Sequence, residues 1–373
     1  MQSLSLESKI RMTQQRIRGW YEHWNGQVYV SFSGGKDSTV LKHIVDGMYS
    51  DVPALFVNTG LEYPEIQKFA MSQKNVVTVR PEMRFDEVIK KYGYPAISKD
   101  ISNCIFWARR GSSTRLARVL GTLTKKDGSP SMFNCSKWKF MLDAPFEVGS
   151  DCCKIMKKNP SKKYEKETGR KPILGLLADE SIKRRDAWMK TGCNAFDLKR
   201  PQSQPMAFWT DHDVLHYIKK YNVPYCSVYG DIVIDEKVDG ENILEGQMNM
   251  IDYLGCYTQE DKLKTTGCDR TGCIFCMFGC HLEKEPNRFQ RLKETHPRQY
   301  EYCIGGGEYS EIRVFNFKGE EIKLKHCTRE QIEKWANANR DNIRFKIEYG
   351  KWQPSKEGLG LAKVLDYIGV KYD

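Results

Sequence analysis

A six-residue loop near the start of the chain fixes much of what the chain can fold into. The loop reads Ser33, Gly34, Gly35, Lys36, Asp37 and Ser38. A β-branched and aromatic run over 28–32 precedes it, and apolar residues at helical spacing over 39–48 follow it, so the pattern predicts strand, turn and helix. Two adjacent glycines permit positive φ and bring backbone N–H groups close to an anion, while the helix that follows presents its positive end. The sequence therefore predicts a phosphate-binding loop.

Two further strands follow the loop, at 54–57 and 76–79. A predicted helix crosses between successive strands, so the strands should lie parallel in a βαβαβ unit. Ligands bind beyond the carboxyl ends of such strands, where Thr59 and Gly60 fall. We therefore expect an α/β fold in which a parallel twisted sheet carries helices on both faces.

The composition narrows the class of protein and of partner. The 373 residues carry a formal charge of +11, which favours a polyanionic partner such as a nucleotide, tRNA or DNA. No apolar run approaches the roughly 20 residues of a membrane helix, and the first residues lack the features of a signal peptide. We expect a cytoplasmic protein without a membrane partner, in which thirteen cysteines indicate metal or redox chemistry.

The cysteines cluster in two places. Cys152 and Cys153 are adjacent, and Cys273 and Cys276 form a C-x-x-C pair among glycines, an arrangement that presents two thiolates to one metal centre. Further candidate ligands flank this pair. A tetrahedral zinc site is the alternative, and it would use Cys268, Cys273, Cys276 and either Cys280 or His281.

Four blocks of the sequence, between about residues 25 and 280, resemble one family in its order. SGGKDS matches the pyrophosphate-binding loop of ATP pyrophosphatases and sulfonucleotide reductases, and VNTGLEYPE is similar to VDTG-x-x-(F/Y)-PET. DCCKIMKKNP resembles CC-x-x-x-K-x-x-P, and WTDHDVLHYI resembles W-T-x-x-D-V-W-x-Y-I. The chain thus resembles the phosphoadenosine phosphosulfate reductase family of the PP-loop (adenine nucleotide alpha-hydrolase) superfamily. Its pattern is most similar to cluster-bearing relatives such as the DNA-phosphorothioation ATP pyrophosphatases.

The resemblance implies roles for particular residues. Lys36 would neutralise developing charge and Asp37 would position Mg²⁺, so these two are the expected catalytic residues. The expected nucleotide-binding residues are Ser33, Gly34, Gly35, Lys36, Asp37, Ser38, Thr59, Gly60, Ser181 and Arg184. The expected ligands of a [4Fe–4S] cluster are Cys152, Cys153, Cys273 and Cys276.

Two departures from the family pattern bear on the substrate. Gly175, Ser181 and Arg184 match the segment G-x-R-x-x-x-S-x-x-R, but Leu177 replaces its first arginine, which weakens the case for a sulfated or 3′-phosphorylated nucleotide. The C-terminal part also carries no Glu-Cys-Gly-(Ile/Leu)-His motif; Cys303 and Cys327 lack its flanking residues.

We therefore expect an ATP pyrophosphatase that uses ATP and Mg²⁺ to activate DNA or tRNA for sulfur transfer. A cysteine desulfurase or another donor would supply the sulfur. One alternative is the reduction of adenylylsulfate or phosphoadenylylsulfate to sulfite. Another is a non-catalytic nucleic-acid-binding protein with a structural zinc site.

The predicted organisation has three parts. An N-terminal helix over 1–24 precedes a PP-loop domain over 25–300, and a C-terminal α+β extension over 301–373 includes a helix predicted at 328–340. The PP-loop domain contains a basic, aromatic insertion at 98–150, which would either bind nucleic acid or form a helical cap. It also contains a strand at 172–178, the cysteine cluster at 268–281, and a helix beginning near Thr210 whose buried stripe is Val214, Ile218 and Tyr221.

Overall fold

The computed structural model describes residues 2–235, 262–316, 318–322, 331, 333–335 and 345–373. The chain forms two compact units. The first contains Met1–Glu82 and Met156–Cys273, and the second contains Met83–Ile155 and Ile274–Asp373. The domain boundaries predicted above stay a prediction, and the helix predicted at 328–340 lies almost entirely outside the described residues.

The described residues of the two units form twelve α-helices and twelve strands. The described α-helices are α1 Leu6–His23, α2 Lys36–Met48, α3 Pro64–Ser72, α4 Phe85–Tyr92, α5 Lys99–Ala108, α6 Ser113–Leu120, α7 Asn159–Thr168, α8 Ile182–Thr191, α9 Asp211–Tyr221, α10 Arg288–Thr295, α11 Pro297–Ile304 and α12 Leu361–Tyr367. The described strands are β1 Val28–Phe32, β2 Ala54–Val57, β3 Val76–Val79, β4 Lys171–Leu174, β5 Asn194–Ala195, β6 Gln202–Ser203, β7 Ile232–Ile234, β8 Leu263–Thr265, β9 Glu308–Tyr309, β10 Ile312–Asn316, β11 Phe345–Tyr349 and β12 Trp352–Gln353.

A six-stranded sheet in the order β3-β2-β1-β4-β6-β5 forms the centre of the first unit. Every neighbouring pair is parallel except β5 and β6. Val30 in β1 lies opposite Ala54 on one side and Ile173 on the other. After β1 the chain adds β2 and then β3 on one side of β1, and it later adds β4 on the other side. The strand order therefore reverses between β1 and β4, which makes this position a topological switch point. The predicted α/β class and the parallel βαβαβ unit are confirmed.

The side chains of β1 alternate between the two faces of the sheet, and other residues pack against both faces. Val28, Val30 and Phe32 pack into the main core with buried residues of α1, α2 and α9. Tyr29 points to the opposite face, where it packs with Leu55 and Tyr164 of α7. Successive strand residues face opposite sides, and both faces of this strand are buried, as expected for the centre of a parallel sheet.

The N-terminal helix is held to α9 by buried polar contacts. Lys9 forms an ion pair with Asp213 at 2.7 Å, and the indole N–H of Trp209 donates to the hydroxyl of Thr13 at 2.9 Å. Thr210 caps α9, and its partner in the capping box is the same Asp213. One carboxylate therefore completes a helix cap and neutralises a buried ammonium, which fixes both helices against the core.

Two details of the sequence prediction need correction. Val214 and Ile218 are buried as predicted, but Tyr221 is 43% exposed because it is the last residue of α9, where the chain turns away from the core. The strand predicted at 172–178 ends at Leu174, because at Gly175 the chain passes so near α2 that an added Cβ would lie 3.1 Å from the carbonyl oxygen of Asp37.

The insertion at 98–150 is helical and lies in the second unit. It contains α5, α6 and a 3₁₀ segment at Ser136–Asp143. Arg109 donates to four backbone carbonyls between residues 141 and 146, and Arg118 pairs with Asp100. Two of the insertion's arginines therefore hold its own fold together. In the described part of the chain, no helix is both long and apolar enough to cross a membrane.

Candidate functional site

The loop between β1 and α2 has the backbone that its glycines predict. Gly34 has a φ of +73°, and an added Cβ would lie 3.0 Å from a methyl group of Ile66 in α3, so both the conformation and the packing require glycine. Gly35 is the residue before α2. The hydroxyl of Ser38 accepts from the backbone N–H of Ser33 at 3.1 Å and donates to the carbonyl of Gly35 at 2.9 Å. The loop is thus a closed turn at the positive end of a helix.

Lys36 is buried beside this turn and is held in place by acceptors from distant parts of the sequence. Its ammonium lies 2.8 Å from the carboxylate of Asp211 and donates to the carbonyl of Asp269 at 2.9 Å. Only 3% of its side chain is exposed, whereas half of the Asp211 side chain is exposed. The cation is therefore fixed within the unit, while its main counter-charge remains accessible to solvent.

The carboxyl group of Asp37 has a raised pKa. Burial raises its pKa from the ordinary value of 3.8 to about 6, and the negative charges of Asp211 and Glu180 act in the same direction, against the opposing effect of Lys36. Its Oδ1 atom is buried and accepts no hydrogen bond from any residue that the structure describes. Such an oxygen has unused capacity to bind a cation.

Tyr229 and Thr271 close the loop from the side. The hydroxyl of Tyr229 accepts a hydrogen bond from the backbone N–H of Lys36 at 3.1 Å and lies 2.7 Å from the hydroxyl of Thr271. Burial raises the pKa of Tyr229 to about 12. The tyrosine therefore stays protonated at neutral pH and can use its proton to bond Thr271.

The carboxyl end of β2 forms a second turn beside the loop. Thr59 donates to the carboxylate of Glu62 from its hydroxyl at 2.7 Å and from its backbone N–H at 3.1 Å. The N–H of Gly60 donates to the side chain of Asn58 at 3.2 Å. Glu62 also lies 3.7 Å from the ammonium of Lys157. Thr59 thus shapes the turn, and Lys157 adds a cation near it.

The predicted residues beyond β4 have structural partners. The hydroxyl of Ser181 accepts from the backbone N–H of Arg184 and so caps α8. The guanidinium of Arg184 pairs with Glu180, which also lies 3.9 Å from Arg270. Both residues follow the strand next to β1, but their polar groups bond to each other and to Glu180.

A cavity of about 120 Å³ opens between the ends of β1 and β2. Its apolar wall is made by strand residues such as Leu55 and Val57, and polar groups come from Glu62, Lys157 and Ser161. The recess combines an apolar wall with a few polar groups, as small-molecule sites do. Its residues belong to the first unit alone.

The structure gathers the predicted loop residues at the ends of β2, β1 and β4, three adjacent strands. Sequence reasoning did not assign Asp211, Asp269, Tyr229 or Thr271 to the site. Thr271 lies two residues before Cys273, within the cysteine cluster at 268–281, whereas Tyr229 lies beyond the block that ends at Ile218. The contacts of Lys36 with Asp211, Tyr229 and Asp269 join residues about 175 to 233 positions apart, which no local pattern reveals.

Three of the four predicted cluster ligands belong to the second unit. The sulfur atoms of Cys152 and Cys153 are 4.0 Å apart, and Cys276 is near enough to Cys153 for their charges to interact. Cys273 is the last residue of the first unit. Among the described residues, no group of three His, Cys, Asp or Glu side chains is arranged to hold a metal ion.

The flanking candidates for a zinc site have other contacts. The thiol of Cys280 donates to the carbonyl of Met277 at 3.0 Å, and burial raises its pKa to about 12. The ring of His281 packs edge-on against Trp138, with centroids 5.1 Å apart, and burial lowers its pKa. The thiol of Cys280 and the imidazole of His281 are therefore both packed against other residues of the second unit.

Comparison with known proteins gives a match over most of the chain. Residues 27–99 and 121–277 match the phosphoadenosine phosphosulfate reductase domain. Two uncharacterized proteins of Methanocaldococcus jannaschii are similar, one 33% identical over 95 residues and the other 26% identical over 217. These alignments cover 24% and 57% of this chain but only 23% and 35% of the relatives, so the chain spans about a quarter to a third of the curated proteins it matches.

Two solved structures are also similar, at low overall scores. The phosphoadenylyl-sulfate reductase of Candida auris, in a phosphate complex, is 15% identical with a TM-score of 0.32 and covers 60% of this chain and 91% of that one. The U34-tRNA thiolase NcsA of Methanococcus maripaludis, with its [4Fe–4S] cluster, is 15% identical with a TM-score of 0.29. It covers 59% of this chain and 66% of that one.

Proposed function

The chain belongs to the phosphoadenosine phosphosulfate reductase domain family, and we propose that it binds ATP and activates a nucleic-acid acceptor for sulfur transfer, releasing pyrophosphate. The observation that carries this proposal is the loop at the end of β1. Its left-handed Gly34, the N-terminus of α2 and the buried Lys36 all belong to the one turn between β1 and α2, an arrangement suited to an anion.

In this proposal each part of ATP has a place in the first unit. The pyrophosphate part would contact backbone N–H groups at Gly34 and Gly35, and Lys36 would stabilise the negative charge that develops as pyrophosphate leaves. The adenine base would occupy the cavity between β1 and β2, against Leu55 and Val57. The α-phosphate would then lie near the switch point between β1 and β4, within reach of an acceptor oxygen.

Asp37 fits the position of a magnesium ligand. Its buried Oδ1 accepts no hydrogen bond from the described residues, and a hard cation prefers such a carboxylate oxygen. Mg²⁺ would neutralise phosphate charge in the bound nucleotide. Because burial raises the pKa of Asp37 to about 6, the carboxylate would be mostly ionised at neutral pH and available to the metal.

One buried residue favours ATP over a sulfonucleotide. Leu177 stands where the reductases carry an arginine, and it is 1% exposed within the main core of the first unit. It supplies apolar packing, so the bidentate anion contact of an arginine is not made from this position. Arg184, the other arginine of that segment, pairs with Glu180. Neither arginine position of this segment therefore supplies a free guanidinium for a sulfate or a 3′-phosphate.

The reductase alternative also needs an accessible thiol to attack the sulfur atom. Cys303 is fully buried, and burial raises its pKa well above the ordinary value, so it is unsuited to that role. Cys327 lies outside the described residues.

The donor set fits an iron–sulfur cluster in its chemistry. Cys152, Cys153 and Cys276 lie near one another within the second unit, and thiolates are the ligands that such clusters take. We propose these three as ligands of a [4Fe–4S] cluster, and zinc as the metal if iron is absent. Cys273 stays the fourth ligand predicted from the sequence. The cluster would supply a centre that carries sulfur or electrons to the activated acceptor.

Competition binding followed by turnover tests this function. Anaerobically purified protein is titrated with ATP, adenylylsulfate and phosphoadenylylsulfate, and pyrophosphate and sulfite are then measured with RNA or DNA present. We expect ATP to bind most tightly and pyrophosphate to appear. Sulfite formation from either sulfonucleotide would instead establish the reductase.

Two lysines of α2 make a matched pair for this test. Lys36→Met should weaken ATP binding by about tenfold or more, the loss expected when a charge-assisted contact worth over about 1.4 kcal/mol is removed. Lys42→Met is the control, because Lys42 is also buried in α2 but pairs with Asp46 away from the loop. Equal ATP binding by both variants would refute the role of the loop.

A further inference from the structure

We propose that α8 is the docking helix for a single-stranded segment of the nucleic-acid acceptor. This inference rests on the proposed function, since it names the surface that holds the acceptor of that same site. The helix reads IKRRDAWMKT and has no buried residue, which is unusual for a helix on a globular unit.

Three cations of α8 are placed where they do not stabilise the helix. Lys183, Arg184 and Arg185 all lie in its first turn, and that turn contains no acidic residue. Cations at a helix N-terminus oppose the helix dipole. Arg184 is compensated by Glu180, but the remaining positive charge is a cost to the fold, which an external polyanion would offset.

The side chains that face solvent have the chemistry of a single-strand binding surface. Lys183, Arg185 and Lys190 are exposed, and the structure places no ion pair or hydrogen bond on these side chains within the range it describes. Ile182 and Met189 are 73% and 75% exposed. Cations that contact phosphates, beside apolar side chains that contact unstacked bases, suit a single strand better than a closed duplex.

The start of α8 is connected to the nucleotide loop through a short series of contacts. Glu180 immediately precedes the cap of α8 and lies 3.9 Å from Arg270. Thr271, the next residue, bonds to Tyr229, which accepts the N–H of Lys36. A strand held on α8 would therefore lie at the same edge of the sheet as the loop, where its reacting atom must meet the α-phosphate.

The described packing of α8 on the main core is made through Trp188. Trp188 packs against the main core, and its indole N–H donates to the sulfur of Cys193 at 3.3 Å. The other side chains can be changed without loss of packing, so the docking surface can be tested in a folded protein.

The test measures fluorescence anisotropy with labelled single strands of RNA and of DNA, each about 15 nucleotides long, and with the matching DNA duplex. The variant replaces Lys183, Arg185 and Lys190 by glutamine. The control replaces Arg11, Arg18 and Lys74, three exposed cations of the same unit, by glutamine and so has the same net charge. Binding is measured between about 50 and 200 mM salt.

We expect the α8 variant to lose about tenfold or more in single-strand affinity and about 2 in the slope of log K against log salt, since each phosphate contact contributes about 0.7. The control should stay within about threefold, the scatter expected for surface charges away from a binding site. A second variant, Ile182→Ser with Met189→Ser, should weaken single-strand binding without changing the salt slope.

ATP binding in the same variants separates this inference from the proposed function. We expect ATP affinity to be unchanged by the α8 substitutions. Equal losses in the α8 variant and the control, or no binding of a single strand by the wild-type protein, would overturn the docking helix while leaving the ATP result to stand. Absence of ATP binding in the wild type would refute the proposed function, and the strand-binding comparison would still decide the role of α8.

Discussion

The hydroxyl of Tyr229 accepts a hydrogen bond from the backbone N–H of Lys36 at 3.1 Å. A tyrosine nearly 200 residues away therefore satisfies one of the loop N–H groups that a phosphate oxygen would otherwise accept. Its second contact, at 2.7 Å to Thr271, ties the same hydroxyl to the segment that leads into Cys273. The turn between β1 and α2 and this segment are thus joined through one oxygen atom.

Removing that oxygen should destabilise the protein in a way that pyrophosphate corrects. Tyr229→Phe leaves a buried N–H without an acceptor, so we expect a loss of about 1–3 kcal/mol in the free energy of unfolding. Saturating pyrophosphate should reduce the difference between variant and wild type, because a phosphate oxygen can accept the freed N–H. Denaturant unfolding with and without pyrophosphate measures this. A difference that pyrophosphate does not change would contradict the shared N–H.

The buried carboxyl group of Asp37 should give the protein a specific dependence on pH. Its pKa in the folded state, about 6, is above the ordinary value of 3.8, so between these values the folded protein binds more protons than the unfolded chain. This group's contribution to stability therefore falls as the pH rises through that window and is constant above it.

Asp37→Asn removes this contribution. One pKa unit corresponds to about 1.4 kcal/mol, so we expect the variant to gain about 2–3 kcal/mol relative to wild type at pH 7.5 and much less at pH 4.5. Unfolding in magnesium-free buffer at both pH values measures the effect. A constant difference across the two pH values would show that Asp37 has an ordinary pKa.

Filling the cavity between β1 and β2 should separate base binding from phosphate binding. Ser161 lines the cavity and lies on α7, so Ser161→Leu adds apolar volume where adenine is proposed to bind. We expect ATP affinity to fall about tenfold or more, because the base would be displaced, and pyrophosphate affinity to be unchanged. Ser161→Ala is the control and should bind both normally. If Ser161→Leu weakens both ligands equally, the cavity is not a base pocket.

Substitution of single cysteines should identify the cluster ligands. Wild-type protein purified anaerobically should contain about four irons per chain and absorb near 400 nm, as thiolate-bound [4Fe–4S] clusters do. Cys153→Ser and Cys276→Ser should lose most of the iron. Cys104→Ser is the control, since Cys104 is fully buried between α5 and α6 and contacts the carbonyl of Arg115. A colourless wild-type protein with one zinc would support the structural-metal alternative.

Local patterns predicted the first half of the sheet because each strand there is a short, mostly apolar run. The run at 28–32 and those at 54–57 and 76–79 form strands over those residues. The strand predicted at 172–178 is too long because only part of this apolar stretch is strand. Its first part forms β4, whereas Leu177 is turned into the core after Gly175 has passed α2.

The site was predictable where its residues are adjacent in sequence and hidden where they are not. The glycines of the loop act through their own backbone, so the motif alone located them. The acceptors that hold Lys36, at Asp211 and Asp269, come from separate elements, and only the tertiary fold brings them together. Ser181 and Arg184 show the opposite case, because their motif predicted a ligand contact and the described contacts are a helix cap and an ion pair.

The division of each unit into two stretches of sequence has a consequence for synthesis. The ribosome completes β1, β2 and β3 about 90 residues before β4 exists, so one side of β1 has no partner strand while Met83–Ile155 emerges. That stretch, in turn, cannot complete its own unit until residues beyond Cys273 have been made. Lys9 likewise waits for Asp213. The edge of β1 therefore stays open until β4 is made, and Lys9 stays unpaired until Asp213 is made, so the nascent chain is exposed to aggregation in that period.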